Sequence, residues 1–350
     1  LSIMFGKASS NVYGALTNQP SVSNLVVILF AILAVVISWI IVAKGPVSIN
    51  WLNRIVVPGL IIMLAYMFIM IWREISFEEM LALQPTSPFE ERWVNYMIAF
   101  ELGLGSGFSW WPIMGGLTRI TKSQRAAFWP NMIGINLCAV LGTMVGLLAG
   151  LYFGSHDPTE WMIPLGGPVL GLIALLFVAF ANLTSITALA YSTTLALKQI
   201  KGFMNVKWER LSFYFFFPVI PLVFFPEQVY THFGTFLAIC GTFLGPLTGI
   251  GFVDYFILRK QRIELVSLYR EQPDSPYYFY GGYNYAAVIA LIVATAVYFL
   301  LFNPVTFDSG NLFLYLSASL PATIVAGLVY YLLTLAFVIP KGVGGYKGIN

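Results

Sequence analysis

Nine apolar stretches alternate with short polar connections along the chain. A bilayer core needs roughly 20 apolar residues per helix, and unpaired backbone groups exclude open strands at that depth. The pattern therefore predicts spanning helices over 23–43, 55–72, 94–118, 128–153, 165–197, 211–225, 231–258, 284–302 and 315–338. The third and fifth stretches are long enough to tilt or break. The longest connections, 73–93 and 259–283, leave no room for a soluble domain, so residues 1–350 are expected to form a single all-α, polytopic membrane domain. Residues 1–22, rich in Ser, Asn and Gly, are expected as an extracellular segment without a signal peptide's apolar core, and 339–350 as a cytoplasmic tail.

Composition agrees: 59% of the 350 residues are hydrophobic and 9% charged, with a mean hydropathy of +0.81, against roughly 25% charged in soluble domains. Lipid is the expected surrounding, not nucleic acid. Cys138 and Cys240 lie in apolar runs and are expected as unpaired core thiols. His156 and His232 are far apart, and no metal-ligand spacing is found in the sequence, so no cofactor is expected.

Charge orients the chain. Basic residues collect on the cytoplasmic side, and alternate connections carry Lys44 and Arg54; Arg119, Lys122 and Arg125; Lys198, Lys201, Lys207 and Arg210; Arg259, Lys260, Arg262 and Arg270; Lys341 and Lys347. These are 15 of the 18 basic residues. The opposite side holds Lys7, Arg73 and Arg92 among many carboxylates. The N-terminus of this chain is thus expected outside and the C-terminus in the cytoplasm, in a cell membrane (plasma or inner). An outside start ahead of nine spans leads to the expectation of an odd number of further helices before Leu1.

The third stretch, Glu101-Leu-Gly-Leu-Gly105-Ser106-Gly107-Phe108-Ser-Trp110-Trp111-Pro112, concentrates helix-weakening residues. Each glycine costs about 1 kcal/mol of helix propensity, and Pro112 removes a backbone bond. A break here would free polar groups of Gly105, Ser106 and Gly107 beside rings that stack on a planar solute, as in transporters with discontinuous helices. The other reading is close helix packing through small residues. Glu101, some 10 Å deep at 1.5 Å per residue, is a coupling carboxylate for a proton or cation, or lies in a water-filled vestibule. In the fifth stretch, helical spacing sets Ala181, Thr184, Ser185 and Ala188 on one face and Thr187, Tyr191 and Thr194 on a neighbouring one. Those oxygens suit a small hard cation, or the hydroxyls bond back to their own helix. Asp254, beside Arg259 and Lys260, reads as a boundary anchor, and Gly241, Gly245, Pro246 and Gly249 as a gate or a packing face.

Motifs late in the chain are the most specific: Gly245-Pro246-Leu247-Thr248-Gly249, Asp254-Tyr255, Arg259-Lys260, Leu268-Tyr269-Arg270, Tyr277-Tyr278 and Gly281-Gly282-Tyr283-Asn284-Tyr285-Ala286-Ala287. With Leu117-Thr118-Arg119, Lys122-Ser123-Gln124, and Asn53-Arg54-Ile55 ahead of Pro58, they resemble the nucleobase:cation symporter-1 family from about residue 23 to the end. The resemblance implies a five-plus-five inverted-repeat fold like that of leucine transporters, with the nine stretches as helices four to twelve. It implies sodium ligands at Ala181, Thr184 and Ser185, and a substrate-stacking aromatic near Gly107, where Phe108 or Trp110 replaces the usual tryptophan. Ala190 stands where the family has a heterocycle-binding asparagine, so that contact is missing, and Gly116 where it has an aspartate; the expected substrate-binding set is Gly105, Ser106, Gly107, Phe108, Trp110, Thr187, Ala190 and Tyr191.

The function implied is cation-coupled import of a nucleobase, hydantoin, allantoin or vitamin-like heterocycle by alternating access, with Na⁺ or H⁺ as coupling ion and the protein a monomer. An amino-acid-like permease of the same fold, or a non-transporting membrane sensor, would leave similar marks. A channel would need filter rings, and an enzyme clustered titratable groups; the sequence offers neither.

Overall fold

The computed structural model describes residues 1–19, 23–85, 88–119, 121–268, 270 and 272–346. Tyr269 of the Leu-Tyr-Arg motif and Lys347 of the basic tail lie outside them. Among the described residues the chain is helical, and strand geometry is limited to the isolated bridges Tyr280–Tyr283 and Phe302–Ser309.

Two compact units form, Leu1–Pro88 with Ile113–Tyr230, and Phe89–Pro112 with Thr231–Asn350. Each has its own apolar core. The helices are α1 (Ser2–Thr17), α2 (Asn24–Ala43), α3 (Pro46–Glu74), α4 (Phe77–Ala82), α5 (Arg92–Thr118), α6 (Gln124–Asn131), α7 (Ala139–Phe153), α8 (Pro158–Gly166), α9 (Leu172–Leu197), α10 (Trp208–Phe216), α11 (Val219–Val223), α12 (Pro226–Thr231), α13 (Phe233–Phe252), α14 (Leu265–Leu268), α15 (Tyr285–Leu301), α16 (Phe313–Leu316) and α17 (Ser319–Leu333). Wider π-helical turns adjoin four of them: Met132–Cys138, Gly167–Gly171, Val253–Leu258 and Thr334–Val338.

Among the described residues, six helical runs are long and apolar enough to cross a membrane: 24–43, 46–74, 124–153, 158–197, 233–258 and 319–338; apolar α15 is shorter at 17 residues. This makes the chain a multi-pass membrane protein. Leu300, Ile62 and Ile324 expose 80%, 71% and 61% of their surface, as residues bathed in acyl chains would.

Three expectations change. The stretch 211–225 is not one helix but α10 and α11, because Pro218 and Pro221 lack the N–H a helix interior needs. The last span begins at Ser319 rather than 315, after Ser317 turns into left-handed backbone at φ +60°. Within 1–22, residues 2–17 are a packed helix that buries Ile3, Phe5 and Ala8. Gly6 allows this, since a Cβ there would lie 2.4 Å from the Val27 carbonyl oxygen of α2.

In the first unit α9 is central and packs on α1, α2, α3, α8 and α10. In the second, α13, α15 and α17 pack on one another. Gly241, Gly245 and Gly249 recur every four residues on α13, facing Ser319, Thr323 and Gly327 at the same spacing on α17. A Cβ on Gly249 would lie 2.1 Å from the Thr323 carbonyl oxygen, so glycine lets the backbones touch, as small-residue rows do in membranes. Of the two readings of this row, the structure holds the packing face.

Candidate functional site

The expected site residues divide between the units. Gly105, Ser106, Gly107, Phe108, Trp110 and Glu101 belong to the second, and Ala181, Thr184, Ser185, Thr187, Ala190 and Tyr191 to the first.

In the first unit, α9 turns two different faces. Leu183, Ile186, Thr187, Ala190, Tyr191 and Thr194 are buried, while Ala181, Thr184, Ser185 and Ala188 are half-buried. The Thr184 hydroxyl donates to the Ala181 carbonyl (2.8 Å), Thr187 to the Thr184 carbonyl (2.7 Å) and Thr194 to the Ala190 carbonyl (2.6 Å). These hydroxyls thus bond back to their own helix, one of the two sequence readings. The proton of Thr184 is committed to Ala181, which leaves lone pairs of Thr184 Oγ1 available. Hard cations take such neutral oxygens. Thr187 and Ala190 are fully enclosed in the unit's core, and the Tyr191 ring centroid stands 5.5 Å from that of Trp208.

Gly116, where the sequence resemblance implies an aspartate, lies against the same helix: a Cβ there would come within 3.0 Å of Ser192 Oγ. That buried hydroxyl has no hydrogen-bond partner among the described residues. Residue spacing gave no sign of the pair, which only the fold brings together.

In the second unit, α5 contradicts the expected break at Gly105–Gly107. It is continuous from Arg92 to Thr118, with Pro112 inside it. The physical reason is that each helical bond lost in a dry medium costs more than the propensity deficit of the glycines. Gly105 serves contact instead: a Cβ there would lie 2.1 Å from the Leu237 carbonyl oxygen of α13. Gly103 and Gly107 have nothing within 4 Å of a Cβ position. Phe108 rests on Gly245, whose Cβ would be 3.2 Å from its Cε2, and Trp110 is half-buried. Ser109 donates to the Ser106 carbonyl at 2.6 Å.

Glu101 is fully buried, which excludes the vestibule reading. One oxygen accepts the Ala318 and Ser319 N–H groups at 2.9 and 3.1 Å, and the other accepts the Ser319 hydroxyl. The carboxylate thus satisfies the unpaired donors that open α17, where the helix dipole favours negative charge. Ser319 went unnoticed in the sequence because it lies 218 residues away.

Asp254 proves to be an anchor. Its carboxylate accepts Arg259 Nε (2.6 Å), the Tyr330 hydroxyl (2.8 Å) and the Tyr346 hydroxyl (2.5 Å), and Asn284 Nδ2 donates to Tyr330 (3.1 Å). The Arg259 guanidinium lies 4.3 Å from the Tyr346 ring centroid and 4.9 Å from that of Tyr277. Four of the late motifs, through Asp254, Arg259, Tyr277 and Asn284, therefore meet in one polar knot. The half-buried thiols of Cys138 and Cys240 are unpaired.

Comparison with known proteins gives this arrangement a context. The chain is 28% identical to a purine-uracil permease of Arabidopsis thaliana over 62% of its length, and 25% identical to a hydantoin permease of Microbacterium maritypicum over 81%. It spans 37% and 58% of those proteins' lengths. A shorter stretch of 62 residues, 18% of this chain and 12% of the relative, is 37% identical to an allantoin permease of Bacillus subtilis. The family described as "Permease for cytosine/purines, uracil, thiamine, allantoin" matches residues 1–317. With nearly the whole chain under that match, this membrane protein belongs to the cytosine/purine, uracil, thiamine and allantoin permeases, the nucleobase:cation symporter-1 family.

Proposed function

We propose that the protein is a secondary active transporter that imports a nucleobase or a related nitrogen heterocycle by alternating access, coupled to Na⁺ or H⁺. The observation that carries this reading is the family match over residues 1–317. The names of the relatives, permeases for purines and uracil, hydantoin and allantoin, support a small planar heterocycle with amide-like edges as substrate. The half-buried face of α9 supports the coupling step: Thr184 Oγ1 and the Ser185 hydroxyl are adjacent neutral oxygen donors on that face, and with the Ala181 carbonyl they form the cation-binding element. On α5, Phe108 and Trp110 are the rings on which a heterocycle stacks, while Ser106 and the backbone of Gly105 and Gly107 line the polar side. Thr187, Ala190 and Tyr191 hold α9 in place from its buried face. The protein works as a monomer in the plasma or inner membrane, with the basic connections in the cytoplasm.

Uptake of radiolabelled uracil, allantoin or hydantoin into proteoliposomes tests this. We expect accumulation that follows an imposed Na⁺ or H⁺ gradient and falls at least ten-fold in Thr184→Ala/Ser185→Ala. Flux indifferent to both gradients overturns symport, and heterocycle binding without flux favours the sensor.

A further inference from the structure

A groove of about 350 Å³ opens on the second unit, walled by Tyr285 and Ile289 of α15, Leu333 of α17 and Phe337 of the following π-turn, with Tyr280 and Lys341 alongside. Its volume falls within the roughly 300–1,000 Å³ of small-molecule sites. Chain order gives the groove a direction. Tyr280 and Tyr285 stand where α15 begins and Lys341 just beyond where the α17 run ends, so the polar groups share one end. Ile289 and Leu333 lie about one turn further in.

The polar end is built. Tyr280 donates its hydroxyl to the Phe337 carbonyl at 2.7 Å, its ring centroid is 6.3 Å from that of Tyr285, and Lys341 Nζ stands 5.3 Å from the Tyr280 centroid. The π-turn supplies the acceptor: Ile339 N–H bonds five residues back to Thr334, and the widened turn leaves the Phe337 carbonyl to Tyr280. Lys341 is exposed and has no carboxylate within 4 Å among the described residues. The apolar end is open: Phe337 is 59% exposed and Ile289 47%.

These features select their occupant. Apolar walls exposed on the apolar α15 and on the α17 run, which is long enough to cross a membrane, meet hydrocarbon. Tyrosines at a helix end sit at headgroup level, and a lysine there extends its amine to the interface. An unneutralised cation in such a pocket attracts an anionic headgroup. A soluble anion would leave the walls unused, and a zwitterionic lipid would bring its own cation to Lys341. We propose that this groove binds one anionic phospholipid, its phosphate at Lys341 and an acyl chain along Ile289, Leu333 and Phe337. The proposal requires only that the chain spans a membrane, and it is independent of what is transported.

Native mass spectrometry of the protein released from mixed phosphatidylcholine and phosphatidylglycerol tests it. One phosphatidylglycerol should stay bound to the wild type in preference to phosphatidylcholine. Lys341→Gln should bind it about five-fold more weakly, the equivalent of the roughly 1 kcal/mol a single lysine contributes near anionic lipid, while Lys341→Arg retains it. Ile289→Trp, which fills the groove and leaves the charge, should also weaken binding. Circular dichroism of each variant establishes that its helices are intact. Equal retention of the two lipids, undiminished binding in Lys341→Gln or in Ile289→Trp, or displacement by inorganic phosphate alone would each overturn the proposal.

Discussion

Glu101 illustrates how a carboxylate deep in an apolar stretch can find its hydrogen-bond donors at the start of another helix. Its three donors come from the first residues of α17, so it joins α5 to α17. Glu101→Ala should strand two buried N–H groups at about 1–3 kcal/mol each; Glu101→Gln, which retains an acceptor, should lose less. Thermal unfolding in detergent checks the order, and an unchanged midpoint in the alanine variant would refute the cap. Glu79, fully exposed, makes the same bond in miniature. It accepts the Ser76 N–H (2.8 Å) and hydroxyl (2.7 Å), which hold its pKa below the ordinary value, the backbone bond foremost. Because the folded value is the lower one, the stabilisation is complete above the ordinary glutamate value of about 4.3 and disappears as pH falls through the folded value. Amide protection of Phe77–Ala82 should therefore drop on acidification, and Glu79→Gln should show the reduced protection already at neutral pH by hydrogen-exchange mass spectrometry.

Among helices, the glycines of α5 separate by neighbour rather than by spacing. Gly105→Ala drives a methyl into the Leu237 carbonyl and should destabilise by about 1–3 kcal/mol. Gly103→Ala meets nothing and should stabilise by up to about 1 kcal/mol of helix propensity. Equal effects of the two on the thermal midpoint would mean that α5 does not touch α13 through Gly105. The π-turn Val253–Leu258 makes a comparable point. Residues five apart on an α-helix lie roughly 140° around the axis from one another. Here the Arg259 N–H bonds to the Asp254 carbonyl, and the wider turn brings both side chains to one face. Removing one partner of a buried pair costs about 3–5 kcal/mol, and Arg259 is only 3% exposed. Asp254→Ala should thus lower the unfolding midpoint far more than Tyr346→Phe, which takes away a single hydroxyl.

Across the chain, sidedness rests on charge alone. In a Cys138→Ala/Cys240→Ala background, a membrane-impermeant maleimide should label Glu78→Cys on intact cells, and Lys122→Cys only after permeabilisation; the reverse pattern would invert the topology. Medium, class and family could be read from the residues, because hydropathy over some 20 positions and short motifs such as Gly281–Ala287 are local properties. So could the six apolar helical runs long enough to cross a membrane among the described residues. The divided 211–225 stretch could have been foreseen from Pro218 and Pro221. The packed α1, the unbroken α5 and the partners of Glu101 could not. Whether a glycine is a weak point or a contact depends on which carbonyl lies opposite it, and whether a buried carboxylate is free depends on donors more than 200 residues away. Lipid imposes helices on any sufficiently apolar run, so the chain's own chemistry decided those. Which helix faces touch is settled by steric fit and by the pairing of buried polar groups, and these exist only once the helices have come together.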